Sequence, residues 1–170
     1  MRPYVRAIID GGMKKDTSVF ESQLVTRGPD ETEALGQWIA RGLRVGDAIA
    51  LEGDLGAGKT TLARAILRAL GVEGDVPSPS FTLVQHYDTT RLKIAHCDFY
   101  RIENPAEVDE LGLEDALKEG AILVEWPQRA PRRIPPDALR IRIEIVGESE
   151  RAVQFSGPAR WAQLLTNREA

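Results

Sequence analysis

The sequence predicts a three-layer α/β fold, with helices on the faces of a mainly parallel central sheet and antiparallel strands at its edge. Three observations carry this. Short apolar runs at residues 48–51 and 121–124 read as buried strands and alternate with helical patterns. A glycine-rich string, Gly53-Asp54-Leu55-Gly56-Ala57-Gly58-Lys59-Thr60, lies between the first of these runs and an amphipathic stretch. Near the C-terminus, Leu139, Ile141, Ile143 and Ile145 alternate with polar residues and are followed by a turn and a second short strand, the pattern of a hairpin.

Length and composition set the frame. With 170 residues, 42% apolar and 28% charged, the chain suits one soluble domain with a proper core. Residues 17–170 are expected to form that domain, and residues 1–16 a flexible N-terminal extension. Arg2, Arg6, Asp10, Lys14, Lys15 and Asp16 interrupt the extension, so it offers no secretory apolar region, and no membrane span is visible. The net charge of −4 does not favour free-standing nucleic-acid binding. Cys97 is the single cysteine, which excludes an internal disulfide and suits a reducing cytoplasm.

The elements follow in order. Residues 18–25 predict a first strand. Asp30 is a good helix N-cap and Glu33 can complete a capping box, after which Leu35, Trp38, Ile39 and Leu43 share one helical face. Trp38 reads as core. Residues 61–70 form the helix behind the glycine string, stopped by Gly71. Pro77 and Pro79 exclude helix from residues 76–81. Residues 82–87 and 91–97 read as a hairpin. Asn104 caps a short helix opened by Pro105, and residues 121–124 form the most apolar strand. Residues 129–136 are a linker rich in arginine and proline. Residues 139–146 and 152–155 make the C-terminal hairpin, and a short helix through Trp161, Leu164 and Leu165 ends the chain.

The glycine string fits a phosphate-cradling loop at every fixed position, and its strand–loop–helix setting is the one this chemistry requires. Gly53, Gly56 and Gly58 let the backbone bend and approach an anion without a Cβ clash. Successive N–H groups then gather at a helix N-terminus. Lys59 can set its ammonium on the β- and γ-phosphates of a nucleotide, and the Thr60 hydroxyl can bind Mg²⁺. His96, Asp98 and Tyr100 share one face of a strand, and Ala95, Cys97 and Phe99 the other. Asp98 and Glu125 each end an apolar strand, where such folds place a metal or water ligand. Glu125 stands where Asp is usual. Ser78 and Ser80 fit either a switch-like loop near the γ-phosphate or a rigid connector. Arg129, Arg132 and Arg133 fit either a phosphate-closing lid or a solvated face. His86 reads as an ordinary surface residue.

Beyond the loop and its continuation Thr61, four blocks occur together. They are Ser78-Pro79-Ser80-Phe81-Thr82-Leu83-Val84, His96-Cys97-Asp98-Phe99-Tyr100-Arg101-Ile102, Pro105-Ala106-Glu107-Val108-Asp109-Glu110-Leu111-Gly112, and Leu123-Val124-Glu125-Trp126-Pro127. In this combination residues 18–146 resemble the TsaE (formerly YjeE) family. The resemblance implies a P-loop NTPase-type fold and a cytoplasmic, Mg²⁺-dependent ATPase. It implies work with the TsaD and TsaB proteins, which attach threonylcarbamoyl to adenosine in ANN-decoding tRNAs, so tRNA is met only through the complex. It implies nucleotide contacts from Gly53 through Thr61 and from Ser80, which replaces a more usual Thr. Thr60 and Glu125 are implied as the Mg²⁺ site, Asp98 as the second essential carboxylate, and Lys59 as the phosphate-binding amine. Pro29 and Glu31 fall where the family approaches the nucleotide base.

Two other functions use the same loop. A small-molecule kinase would close its arginines over a transferred phosphoryl group. A nucleotide-dependent binding module would bind ATP with negligible turnover. A GTPase is disfavoured, because no N-K-x-D string appears.

Overall fold

In the computed structural model, residues 4–8 and 19–166 are described. The strands are β1 (Tyr4–Ile8), β2 (Val19–Arg27), β3 (Ala48–Glu52), β4 (Val84–Asp88), β5 (Lys93–Asp98), β6 (Gly120–Glu125), β7 (Leu139–Ile145) and β8 (Glu150–Pro158). The α-helices are α1 (Gly28–Gly42), α2 (Lys59–Ala69), α3 (Leu113–Glu119) and α4 (Ala159–Thr166), with a 3₁₀ turn at Pro105–Leu111.

All strands join one sheet in the order β1-β2-β8-β7-β3-β6-β5-β4. The four central strands, β7, β3, β6 and β5, are parallel. The outer pairings are antiparallel, with β4 on one side and β8, β2 and β1 on the other. The antiparallel part is therefore wider than the expected C-terminal hairpin, because β2 pairs with β8 along its whole length.

The central strands are buried on both faces, and their alternation divides the core in two. Ile49, Leu51, Leu123, Ile141 and Ile143 meet Leu35, Ile39, Leu62, Ile66 and Trp161 on the face covered by α1, α2 and α4. Ala48, Ala50, Ala95, Cys97, Ile122 and Val124 meet Phe99, Val108, Leu113 and Ile134 on the other. Each fully buried Leu or Ile contributes about 1.5–3 kcal/mol. Trp38 lies in the core as expected, with its indole N–H donating to the Leu164 carbonyl at 2.7 Å.

Three local expectations are corrected. Helix α1 starts at Gly28, not after Asp30. Pro29 suits its first turn, and the Glu31 carboxylate accepts the Arg27 N–H at 2.7 Å, so Glu31 closes the helix start instead of Asp30 and Glu33. The first strand of the expected hairpin starts at Val84, not at residue 82, because Phe81, Thr82 and Leu83 form a turn; residues 76–81 are non-helical, as expected. The expected extension over 1–16 contains a strand, because β1 satisfies the open edge of β2; its other residues lie outside the described residues. By contrast, Asn104 caps the element opened by Pro105 as expected; that element is 3₁₀, and Glu107 completes a capping box.

Helices α1 and α2 pack directly against each other at Gly36, where an added Cβ would stand 2.4 Å from the Ala65 Cβ and 2.8 Å from the Ala65 carbonyl carbon. Gly36→Val should push α1 off α2 and destabilise the fold by about 1–3 kcal/mol, read as a lower midpoint in urea. An unchanged midpoint would show that the two helices separate freely.

Candidate functional site

The loop leaves the C-terminal end of β3 and enters α2 through Gly58. At Gly53, φ is +143° and an added Cβ would stand 2.4 Å from the Ile143 carbonyl oxygen, so only glycine fits where the loop departs against β7. The Lys59 ammonium folds back into the loop, donating to the Gly53 and Asp54 carbonyls at 2.7 and 2.8 Å. It lies 3.9 Å from the centre of the Trp126 ring. Burial pushes the Lys59 amine below the ordinary lysine value, while the charges of Glu125, Asp98 and Asp54 pull it back up.

Strand register delivers the carboxylates. Asp98 ends β5, Glu125 ends β6, and the two are paired across the parallel ladder. Leu51, just before the loop, is paired with Glu125. Both carboxylates are buried and both are fully engaged. Glu125 Oε2 accepts from the Thr60 hydroxyl at 2.7 Å, and its Oε1 meets His96 Nε2 at 2.9 Å. Asp98 Oδ2 accepts from the Ser80 hydroxyl at 2.7 Å and the Ser78 hydroxyl at 3.2 Å, while its Oδ1 accepts the Tyr100 N–H at 2.9 Å.

Lys59, Thr60, Ser78, Ser80, Asp98, Tyr100 and Glu125 line one cleft of about 230 Å³, together with Leu55, Gly56, Gly58, Thr61 and Trp126. Behind the loop, a second cleft of about 320 Å³ is bordered by Thr26, Pro29, Thr32, Gly56, Ala57, Gly58, Ser149 and Arg151. Arg151 ties β8 to the loop at this second cleft, its Nε donating to the Ala57 carbonyl at 3.0 Å. Among the described residues, no group of three or more His, Cys, Asp or Glu side chains could hold a metal alone. The oxygen pair of Thr60 and Glu125 instead suits a hard cation that keeps waters or phosphate oxygens in its shell.

Lys59, Thr60, Ser80, Asp98 and Glu125 are thus brought together, and Pro29 borders the second cleft. Glu31 does not border it, being committed to the start of α1. Gly53 and Asp54 serve through their carbonyls, and Leu55 stands 75% exposed at the rim. None of Arg129, Arg132 and Arg133 lines the cleft: Arg133 pairs with Asp109 at 2.5 Å, and Arg129 stands 5.8 Å from the Tyr100 ring. His86 is exposed on β4, as expected.

Trp126, Ser149 and Arg151 escaped the sequence reading as site residues. Trp126 gave one signal, its place directly after Glu125. It takes a left-handed backbone (φ +59°), uncommon for a bulky residue, which turns its ring toward Lys59 and Tyr100.

The sequence model described as threonylcarbamoyl adenosine biosynthesis protein TsaE matches residues 26–153. The chain belongs to the TsaE family. It is 36% identical to tRNA threonylcarbamoyladenosine biosynthesis protein TsaE of Bacillus subtilis over 141 residues, covering 82% of this chain and 88% of the relative. It is equally similar, at 36% over 129 residues, to the TsaE protein of Rickettsia felis, covering 75% of each. The crystal structure of Bacillus subtilis YdiB superposes with a TM-score of 0.74 at 32% identity, covering 89% of this chain and 95% of that one. TsaE membership and the loop between β3 and α2 agree on a P-loop NTPase-type fold. Among the described residues, no helix is long and apolar enough to cross a membrane.

The two-faced character of β5 has a chemical test. His96 and Asp98 face the loop, while Cys97 faces the opposite core, where burial pushes its thiol up to about 12. A disulfide reagent at pH 8 should leave the native protein unmodified and titrate one thiol in denaturant. Rapid reaction of the native protein would contradict the alternation.

Proposed function

We propose that this chain is a Mg²⁺-dependent ATPase, cytoplasmic, that supports threonylcarbamoylation of adenosine in ANN-decoding tRNAs as the partner of TsaD and TsaB. The observation that carries the reading is the convergence of Lys59, Thr60, Asp98 and Glu125 on one cleft at the mouth of the loop. The N–H groups of residues 53–60 and the Lys59 ammonium offset charge on the β- and γ-phosphates. The nucleoside occupies the second cleft, beside Thr26, Pro29, Thr32, Ser149 and Arg151. Thr60 and Glu125 hold Mg²⁺, which when bound neutralises charge developing on the phosphates.

Asp98 orients the attacking water. The Ser78 and Ser80 hydroxyls and the Tyr100 N–H hold its carboxylate in place, so the water meets a fixed acceptor. Ser80 supplies its hydroxyl as the more usual Thr would. A small-molecule kinase would need a closing set of arginines; none of Arg129, Arg132 and Arg133 lines the cleft, and Arg133 is committed to Asp109. The contact with tRNA runs through the partner complex.

Lys59→Ala should lower nucleotide affinity or turnover at least about tenfold, measured by ATP hydrolysis with the TsaB–TsaD pair present. Wild-type turnover in that variant would refute the assignment. Co-purification with the pair should depend on ATP. Hydrolysis that stays flat when the pair is added, while ATP still binds, would favour the binding-module function.

A further inference from the structure

His96 is fully buried, yet its ring makes one polar contact, to Glu125. Its Nδ1 has no hydrogen-bond partner among the described residues. A buried imidazole kept for packing alone is replaceable by an apolar side chain; one that spends its single bond on a carboxylate is placed for that carboxylate. Glu125 links the ring to Thr60 in the first turn of α2. There Glu125 is gripped from two sides, by His96 on Oε1 and by Thr60 on Oε2. An ionised carboxylate has no hydrogen to give, so the hydrogen of this bond belongs to Nε2.

We propose that His96 is a positioning residue for the metal site: it locks the Glu125 carboxylate so that only Oε2 turns to the cation beside Thr60. This rests on the reading that Thr60 and Glu125 hold Mg²⁺. The geometry has the logic of outer-sphere partners that orient metal ligands, whose loss costs about 10–100-fold in metal affinity. Register explains why the residue comes from β5. Asp98 and Glu125 are direct partners, so the side chain two residues before Asp98 lies on the same face and one step back, behind Glu125.

The test compares two replacements of similar size. His96→Gln keeps an N–H at the position of Nε2, whereas His96→Met fills the space without a donor. Binding of Mn²⁺ to the ATP-loaded full chain is followed by electron paramagnetic resonance. His96→Met should weaken Mn²⁺ binding about tenfold or more. His96→Gln should stay close to wild type, with ATP affinity in the absence of metal unchanged in both. Equal weakening in the two variants, or none in His96→Met, overturns the inference.

A measurement on the unaltered protein covers the case in which His96→Met fails to fold. The only other histidine, His86, is exposed, so the two ring spectra separate. Long-range ¹⁵N–¹H spectra should place the His96 hydrogen on Nε2, and Mg²⁺ added to the ATP-loaded chain should move the His96 signals and leave those of His86. A hydrogen on Nδ1, or His96 signals that ignore Mg²⁺, overturns the inference. A wild type that binds no Mn²⁺ with ATP overturns the site assignment and this inference with it. A wild type that binds normally, beside an unaffected His96→Met, overturns this inference alone.

Discussion

The parallel register of β3, β6 and β5 is the constraint on which the candidate site depends. Leu51 pairs with Glu125 and Glu125 pairs with Asp98, so three strand ends stop level with one another at the C-terminal end of the parallel strands. The chain can leave β3 there, turn through residues 53–58 and start α2 over the two carboxylates. A slip of one residue on β5 would send Asp98 to the opposite core and bring Cys97 to the loop. The apolar alternation that fixes the two cores therefore also fixes the chemistry, because the same pleat decides both.

The second consequence of that register is a polar cluster under a helix. Asp98 and Glu125 are almost fully buried, and a buried charge without partners is costly. Three donors serve Asp98, and Thr60 with His96 serve Glu125. The donors come from β5, from the turn that follows it, from α2 and from the proline-rich loop at residues 77–80. That loop has no ladder to hold it; its serines anchor it to Asp98. The same bonds that satisfy the carboxylate give the segment its place.

Local sequence made much of this legible. The glycine string, the apolar runs at 48–51 and 121–124 and the Asn104 cap depend on residues adjacent in the chain, and they appear where the sequence puts them. Asp98 and Glu125 were legible because each ends an apolar strand. What stayed hidden depends on partners far away in sequence. The bond from His96 to Glu125 requires the register of two strands, although the shared face of His96 and Asp98 was visible. Arg151 reaches the Ala57 carbonyl only because β8 returns beside the loop. The start of α1 shifted because a proline two residues past the strand and a glutamate behind it outweigh the more familiar Asp30 cap. Residues 4–8 gave little alternation, and their strand follows from the free edge of β2.

Trp126 gives the cleft an optical consequence. Of the chain's three indoles, Trp38 and Trp161 are sealed in the core, while Trp126 alone borders the loop with a lysine ammonium on its face. Light emission from that ring is sensitive to the charge beside it and to what displaces that charge. The protein thus carries its own luminescent gauge at the point where an anion would draw Lys59 away, and the two core indoles supply a steady background against which it is read.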